Sequence, residues 1–125
     1  MAKPTSGHDP MTEPFHIKRE GPFLHVGFGD PAHNDAIVRA AHARLAHMAG
    51  AGELDGGGIL GITGPASLPV VVTIAHAVLH RFSAVAVFDP KLDRFVVAAS
   101  HDPDLAVGQL LTEAELLTRH QPNQV

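Results

Sequence analysis

The sequence predicts an α/β sandwich, a small single domain whose partly parallel sheet ends in an antiparallel edge hairpin. Three observations carry this reading. Strand-like and helix-like apolar patterns alternate from residue 22 to about residue 81, as they do where helical crossovers join strands. Two further apolar runs, 84–88 and 94–100, lie too close together for a helix between them, which makes them an antiparallel pair. The chain has 125 residues and is 45% apolar, enough for one domain with its own core.

Each element has its own warrant. Residues 1–20 carry Pro4, Gly7, Pro10 and Pro14 among polar residues and read as a flexible lead. In residues 22–29, Leu24, Val26 and Phe28 alternate with Phe23, His25 and Gly27, so the first three would face a core from a first strand. Asn34 or Asp35 can cap a helix to about Met48, with Ile37, Val38, Ala41, Leu45 and Met48 on one stripe. The glycine-rich stretch 50–58 reads as a mobile connector, and Gly58-Ile59-Leu60-Gly61-Ile62 as a buried strand. Ser67 then caps a helix with Pro69 in its first turn, running to about Arg81. It is apolar on most sides, so burial against a sheet and against another helix or subunit is expected. After the hairpin, 107–111 reads as a last short strand, and Thr112 with Glu115 has the spacing of a capping box. The expected order is β-α-β-α-β-β-(β)-α, with the domain over 21–119 and a tail over 120–125.

Composition narrows the function. Nine Lys and Arg against thirteen Asp and Glu give a formal net charge of −4 with no basic block. This argues against a protein that grips duplex DNA by bulk charge, while a small nucleotide ligand needs only a few local contacts. With no Cys there is no disulfide framework, thiolate metal site or Cys nucleophile, which fits the reducing cytoplasm expected for this chain. No apolar run approaches the roughly 18–20 residues of a membrane helix, so no membrane partner is expected. Ten histidines raise metal or proton-transfer chemistry.

Ligands of parallel α/β sheets gather at the carboxyl ends of the strands. Three features are expected to meet there: the loop from Thr63 to Ser67, the turn from Asp89 to Lys91, and His101 after its strand. Gly64-Pro65-Ala66-Ser67 leads into a helix N-terminus that can favour an anion, although an ordinary capped turn looks the same. His76 and His80, four apart, share a helix face and can hold a divalent metal, but Ala77 stands where zinc proteases carry glutamate. Asp89 can bind a metal, orient a hydroxyl or act as a base, or simply initiate a turn. Lys91 can neutralise a phosphate, and His101 can contact phosphate, adenine or metal. Taken singly the ordinary readings weigh more; taken together the set suggests phosphodiester chemistry. No Walker-type loop or Ser-His-Asp pattern is present.

The order and spacing of Ile62-Thr63-Gly64-Pro65-Ala66-Ser67-Leu68-Pro69, Ala75-His76, His80, Val85-Ala86-Val87-Phe88-Asp89-Pro90-Lys91-Leu92, Val96-Val97, Ser100-His101 and Val107-Gly108 are more specific than any of these motifs. Over 62–108 the chain resembles the small CRISPR-associated Csx-three proteins, ring nucleases of type III CRISPR antiviral systems. The resemblance implies a Rossmann-like α/β domain that forms a homodimer, two dimers sandwiching the ligand so that one site draws on different subunits. It implies manganese-dependent cleavage of cyclic tetra-adenylate to linear di-adenylate, which switches off the antiviral signal. Carried over residue by residue, His80, Asp89 and Lys91 would be catalytic, with His80 and Asp89 as the metal ligands. Gly64, Ser67 and His101 would bind the substrate. Lys91 stands where some members carry arginine, a point charge in place of a bidentate fork. Two other activities fit the same residues: a module that senses or sequesters the ring without cutting it, and a manganese-dependent exonuclease that removes adenylates from RNA tails.

Overall fold

A computed structural model describes residues 13–120 of the chain. Its elements are β1 (Phe15–Glu20), β2 (Phe23–Phe28), α1 (Asn34–Gly50), β3 (Ile59–Thr63), α2 (Leu68–Val78), β4 (Ala84–Asp89), β5 (Arg94–Ser100), β6 (Leu110–Leu111) and α3 (Glu113–Arg119). The six strands form one sheet in sequence order. β2, β3 and β4 run parallel, and antiparallel neighbours flank them on both sides. This is the partly parallel α/β architecture that the pattern predicts, with an antiparallel hairpin at each edge of the parallel core.

Chain direction decides the layers. A strand–helix–strand crossover is right-handed, so two successive crossovers to the next neighbour place both helices on one face. Ile37, Ala41, Leu45 and Met48 of α1 and Val70, Ile74 and Val78 of α2 accordingly share one cluster with Leu24, Val26, Leu60, Ile62 and Val85 of the sheet. The opposite face is covered by α3, whose Leu116 packs among Phe23, Ile59, Ala86, Phe95 and Val97. The α1 stripe is the one read from the sequence, with Val38 half-buried at its margin. The α3 capping box closes in both directions. The Glu115 N–H donates to Thr112 Oγ1 at 3.1 Å, and the Thr112 N–H donates to Glu115 Oε1 at 2.7 Å. These bonds from Thr112, backbone first, lower the Glu115 pKa below its ordinary 4.5.

Several expectations are corrected. The flexible lead expected over 1–20 does not extend through 15–20, because Phe15 and Ile17 are buried and β1 pairs with β2 through a turn at Gly21-Pro22. Residues 1–12 and the end of the tail, 121–125, lie outside the described residues. Phe28 is exposed rather than core, while Phe23 is buried on the other face, since both sides of β2 are covered near its start. The stretch expected to be a mobile connector is anchored. Leu54 is fully buried, and Arg19 Nη1 donates to the carbonyls of Glu53 and Asp55 at 3.2 and 2.7 Å. α2 ends at Val78 instead of Arg81, because the chain must turn to bury Phe82, whose ring fills the space a side chain at Gly56 would occupy. The last strand is only Leu110–Leu111, and Val107 is exposed. Among the described residues, no helix is long and apolar enough to cross a membrane.

Candidate active site

At the carboxyl ends of β2 and β3 the chain enters α1 and α2. Ser67 has extended backbone and caps α2 by accepting from the Val70 N–H at 3.4 Å, with Pro69 in the first turn. Its hydroxyl donates to Asn34 Oδ1 at 2.8 Å, so the first residues of the two helices are tied together. Two positive helix ends therefore meet at this edge. Asn34 was legible only as a cap. Its contact is with a residue 33 positions away, which no local pattern signals, and the N-cap of α1 is His33 with no side-chain bond. Gly64 has φ +120°, and a side chain there would run into the backbone of Val26 on β2. The close approach of the neighbouring strand by itself requires glycine here.

Asp89 ends β4 at the same edge. Its Oδ1 accepts from the N–H groups of Lys91 and Leu92 at 2.9 and 3.3 Å. The carboxylate thus builds the hairpin turn, and Lys91 is held beside it with an exposed side chain. Gly64, Ser67, Asp89 and Lys91 all belong to the carboxyl edge of the parallel strands.

His101 does not join them. β5 runs antiparallel to β4, pairing Asp89 with Arg94 and Ala84 with Ser100. The chain is carried back along β4, and the His101 N–H donates to the Ser83 carbonyl at 2.7 Å, at the amino edge. His80, beyond the end of α2, lies toward the same edge, because α2 runs opposite to the strand that follows it. β4 has six residues, so its length separates the two groups by about 16 Å. The expected meeting of His80, His101, Asp89 and Lys91 therefore does not occur within one chain. The crevice rule also loses its footing. Such crevices open where the strand order reverses, and β2-β3-β4 continues in one direction with both helices on one face.

His80 instead lines a groove of about 320 Å³ between α1 and α2, with His42, His76, Thr73 and Arg81. His42 carried no signal, since only the packing of α1 on α2 brings it near the other two. Among the described residues, no group of three or more His, Cys, Asp or Glu side chains is placed to hold a metal ion.

A model of the family described as CRISPR-associated protein (Cas_csx3) matches residues 51–112. The chain belongs to the CRISPR-associated Csx-three family. No curated protein and no solved structure compared with the chain matches it. The Csx-three segment includes β3 to β6 with α2, and thus both edges of β4 and every residue carried over above. β1, β2, α1 and α3 lie outside it, apart from the shared contacts described.

Proposed function

We propose that this Csx-three protein is a ring nuclease that opens cyclic tetra-adenylate into linear di-adenylate, using a site assembled from more than one copy. Family membership and the position-by-position resemblance support the substrate class. The observation that carries the assembly is the division of the candidate residues between the two edges of β4. His80 and His101 stand at the amino edge, and Asp89 and Lys91 at the carboxyl edge. The set converges only where the amino edge of one copy meets the carboxyl edge of another, as a ring held between two dimers would require.

A ring of adenylates carries its own nucleophile. Attack by a ribose 2′-OH on the adjacent phosphorus expels the 5′-oxygen of the next residue. The protein then has to align that hydroxyl, move protons and offset charge. In this reading His80 takes or returns the proton, Lys91 offsets charge on the phosphate oxygens, and His101 contacts the ring. The helix ends tied by Ser67 and Asn34 favour the ligand's negative charge. Manganese is implied by the resemblance, but the donors of one chain do not fit a complete site, and Asp89 already spends Oδ1 on its turn. A divalent ion here would need donors from a second copy, and no step is assigned to it.

The test is product analysis of cyclic tetra-adenylate incubated with the protein, with and without manganese. Linear di-adenylate is the expected product, and an adenylate-tailed RNA trimmed beside an untouched ring would overturn the reading. One observation favours a second reading, a ring-binding module without cleavage: the Asp89 carboxylate is engaged by two backbone amides. Tight binding of an intact ring in the presence of manganese would select it.

A further inference from the structure

A pocket of about 220 Å³ opens at the amino edge of the sheet, beneath the start of β3. Its wall holds Arg19, the backbone of Gly56, Gly57 and Gly58, Arg119 and His120. Arg19 and Arg119 lie outside the family segment. The Arg19 guanidinium is fixed in place. It stacks over the Phe82 ring at 4.9 Å, with Nε bonded to the Gly21 carbonyl and Nη1 to the carbonyls of Glu53 and Asp55. Its Nη2 donates to no acceptor among the described residues. Burial lowers the Arg19 pKa, and the nearby Asp55 carboxylate acts against this shift. Arg119 makes no hydrogen bond or ion pair among the described residues. The same holds for the backbone N–H groups of Gly56 and Gly58, whereas that of Gly57 donates to the Arg81 carbonyl at 3.1 Å. The one acidic side chain on the wall, Asp55, lies 4.0 Å from Arg81 and also acts on the Arg19 charge.

We propose that this pocket binds a phosphate monoester or phosphate dianion between the guanidinium groups of Arg19 and Arg119, with the Gly56 and Gly58 amides as further donors. Two guanidinium groups offer planar forks to the oxygens of such an anion, and glycine lets the backbone come close to it. A terminal phosphate on a nucleotide and free inorganic phosphate present the same chemistry. The pocket lining includes none of the candidate residues His80, Asp89, Lys91 and His101, and the proposal does not depend on ring cleavage.

The experiment titrates the full chain with inorganic phosphate and with adenosine 5′-monophosphate at constant ionic strength, following backbone amides by NMR. The Gly56 and Gly58 signals are expected to shift to saturation with phosphate and not with chloride. Arg119→Gln is expected to weaken binding about tenfold, the loss of one charge-assisted contact. Arg119 is exposed, so this variant should keep the fold, which the unshifted remainder of the spectrum checks. Tighter binding of the nucleotide than of phosphate supports the pocket with a nucleotide end as occupant, and equal or weaker binding supports it with free phosphate. Equal shifts with chloride, or unchanged binding in Arg119→Gln, overturn the proposal. No ring nucleotide is present, so failure here leaves the nuclease reading untouched.

Discussion

The His101 N–H donates to the Ser83 carbonyl at 2.7 Å, which fixes His101 at the amino end of β4 while Asp89 closes the other end. The two residues are twelve positions apart in sequence, and the hairpin between them sends the chain back along its own path. A residue after β5 and a residue after β4 therefore face opposite edges of the sheet, because antiparallel neighbours exchange ends.

A site shared between copies has a direct consequence in mixing experiments. His80→Ala and Asp89→Ala are each expected to abolish ring cleavage. Mixed in equal amounts, they should regain about a quarter of wild-type activity, since random pairing joins an intact His80 edge to an intact Asp89 edge that often. The regained rate of di-adenylate formation is the measurement. No recovery, with both variants folded and associated, would place the whole site within one chain.

β1 is part of the fold, and Phe15 is 1% exposed. Phe15→Ala should cost about 3–5 kcal/mol, the range for removing a buried phenyl ring. The shift of the urea midpoint reads it. A change below about 0.5 kcal/mol, as at an exposed site, would return these residues to a loose lead.

Gly64 is constrained by its own backbone and by Val26. Gly64→Ala is expected to destabilise the protein by about 1–3 kcal/mol, from strain at positive φ with a clash added. Thermal unfolding without ligand reads this. Unchanged stability with lost ring binding would show that the loop serves the ligand instead of the strand.

The capping box of α3 gives a pH signature. The folded pKa of Glu115 is lowered, so the unfolded state binds its proton more readily. The contribution is present in full above the ordinary value of 4.5 and is lost as pH falls through the lowered folded value. Wild type should therefore lose stability relative to Glu115→Gln as pH drops below about 5, in denaturant midpoints taken across an acid series. At neutral pH, Thr112→Ala should cost about 1 kcal/mol by removing the other half of the box. A constant difference between wild type and Glu115→Gln over the series would dismiss the carboxylate's part.

What was legible in the sequence was what local chemistry decides. The apolar stripe from Ile37 to Met48, the Ser67 cap with Pro69, the Thr112–Glu115 box and the close spacing of β4 and β5 each lie within a few turns of chain. Periodicity and hydrogen-bonding side chains specify them without help from distant residues. Even β1 has a signal, Phe15 and Ile17 alternating with polar residues before Gly21-Pro22, which the prolines upstream mask. The family pattern was also legible, because it is an order of residues along the chain.

The tertiary structure decided where those residues stand. Ser67 meets Asn34, Arg19 pins the loop at Glu53 and Asp55, and His42 joins His76 and His80 only because elements far apart in sequence pack together. The candidate site was divided for the same reason. Spacing along a chain says how many residues separate Asp89 from His101, but strand direction says which edge each one faces, and direction is settled only when the strands pair.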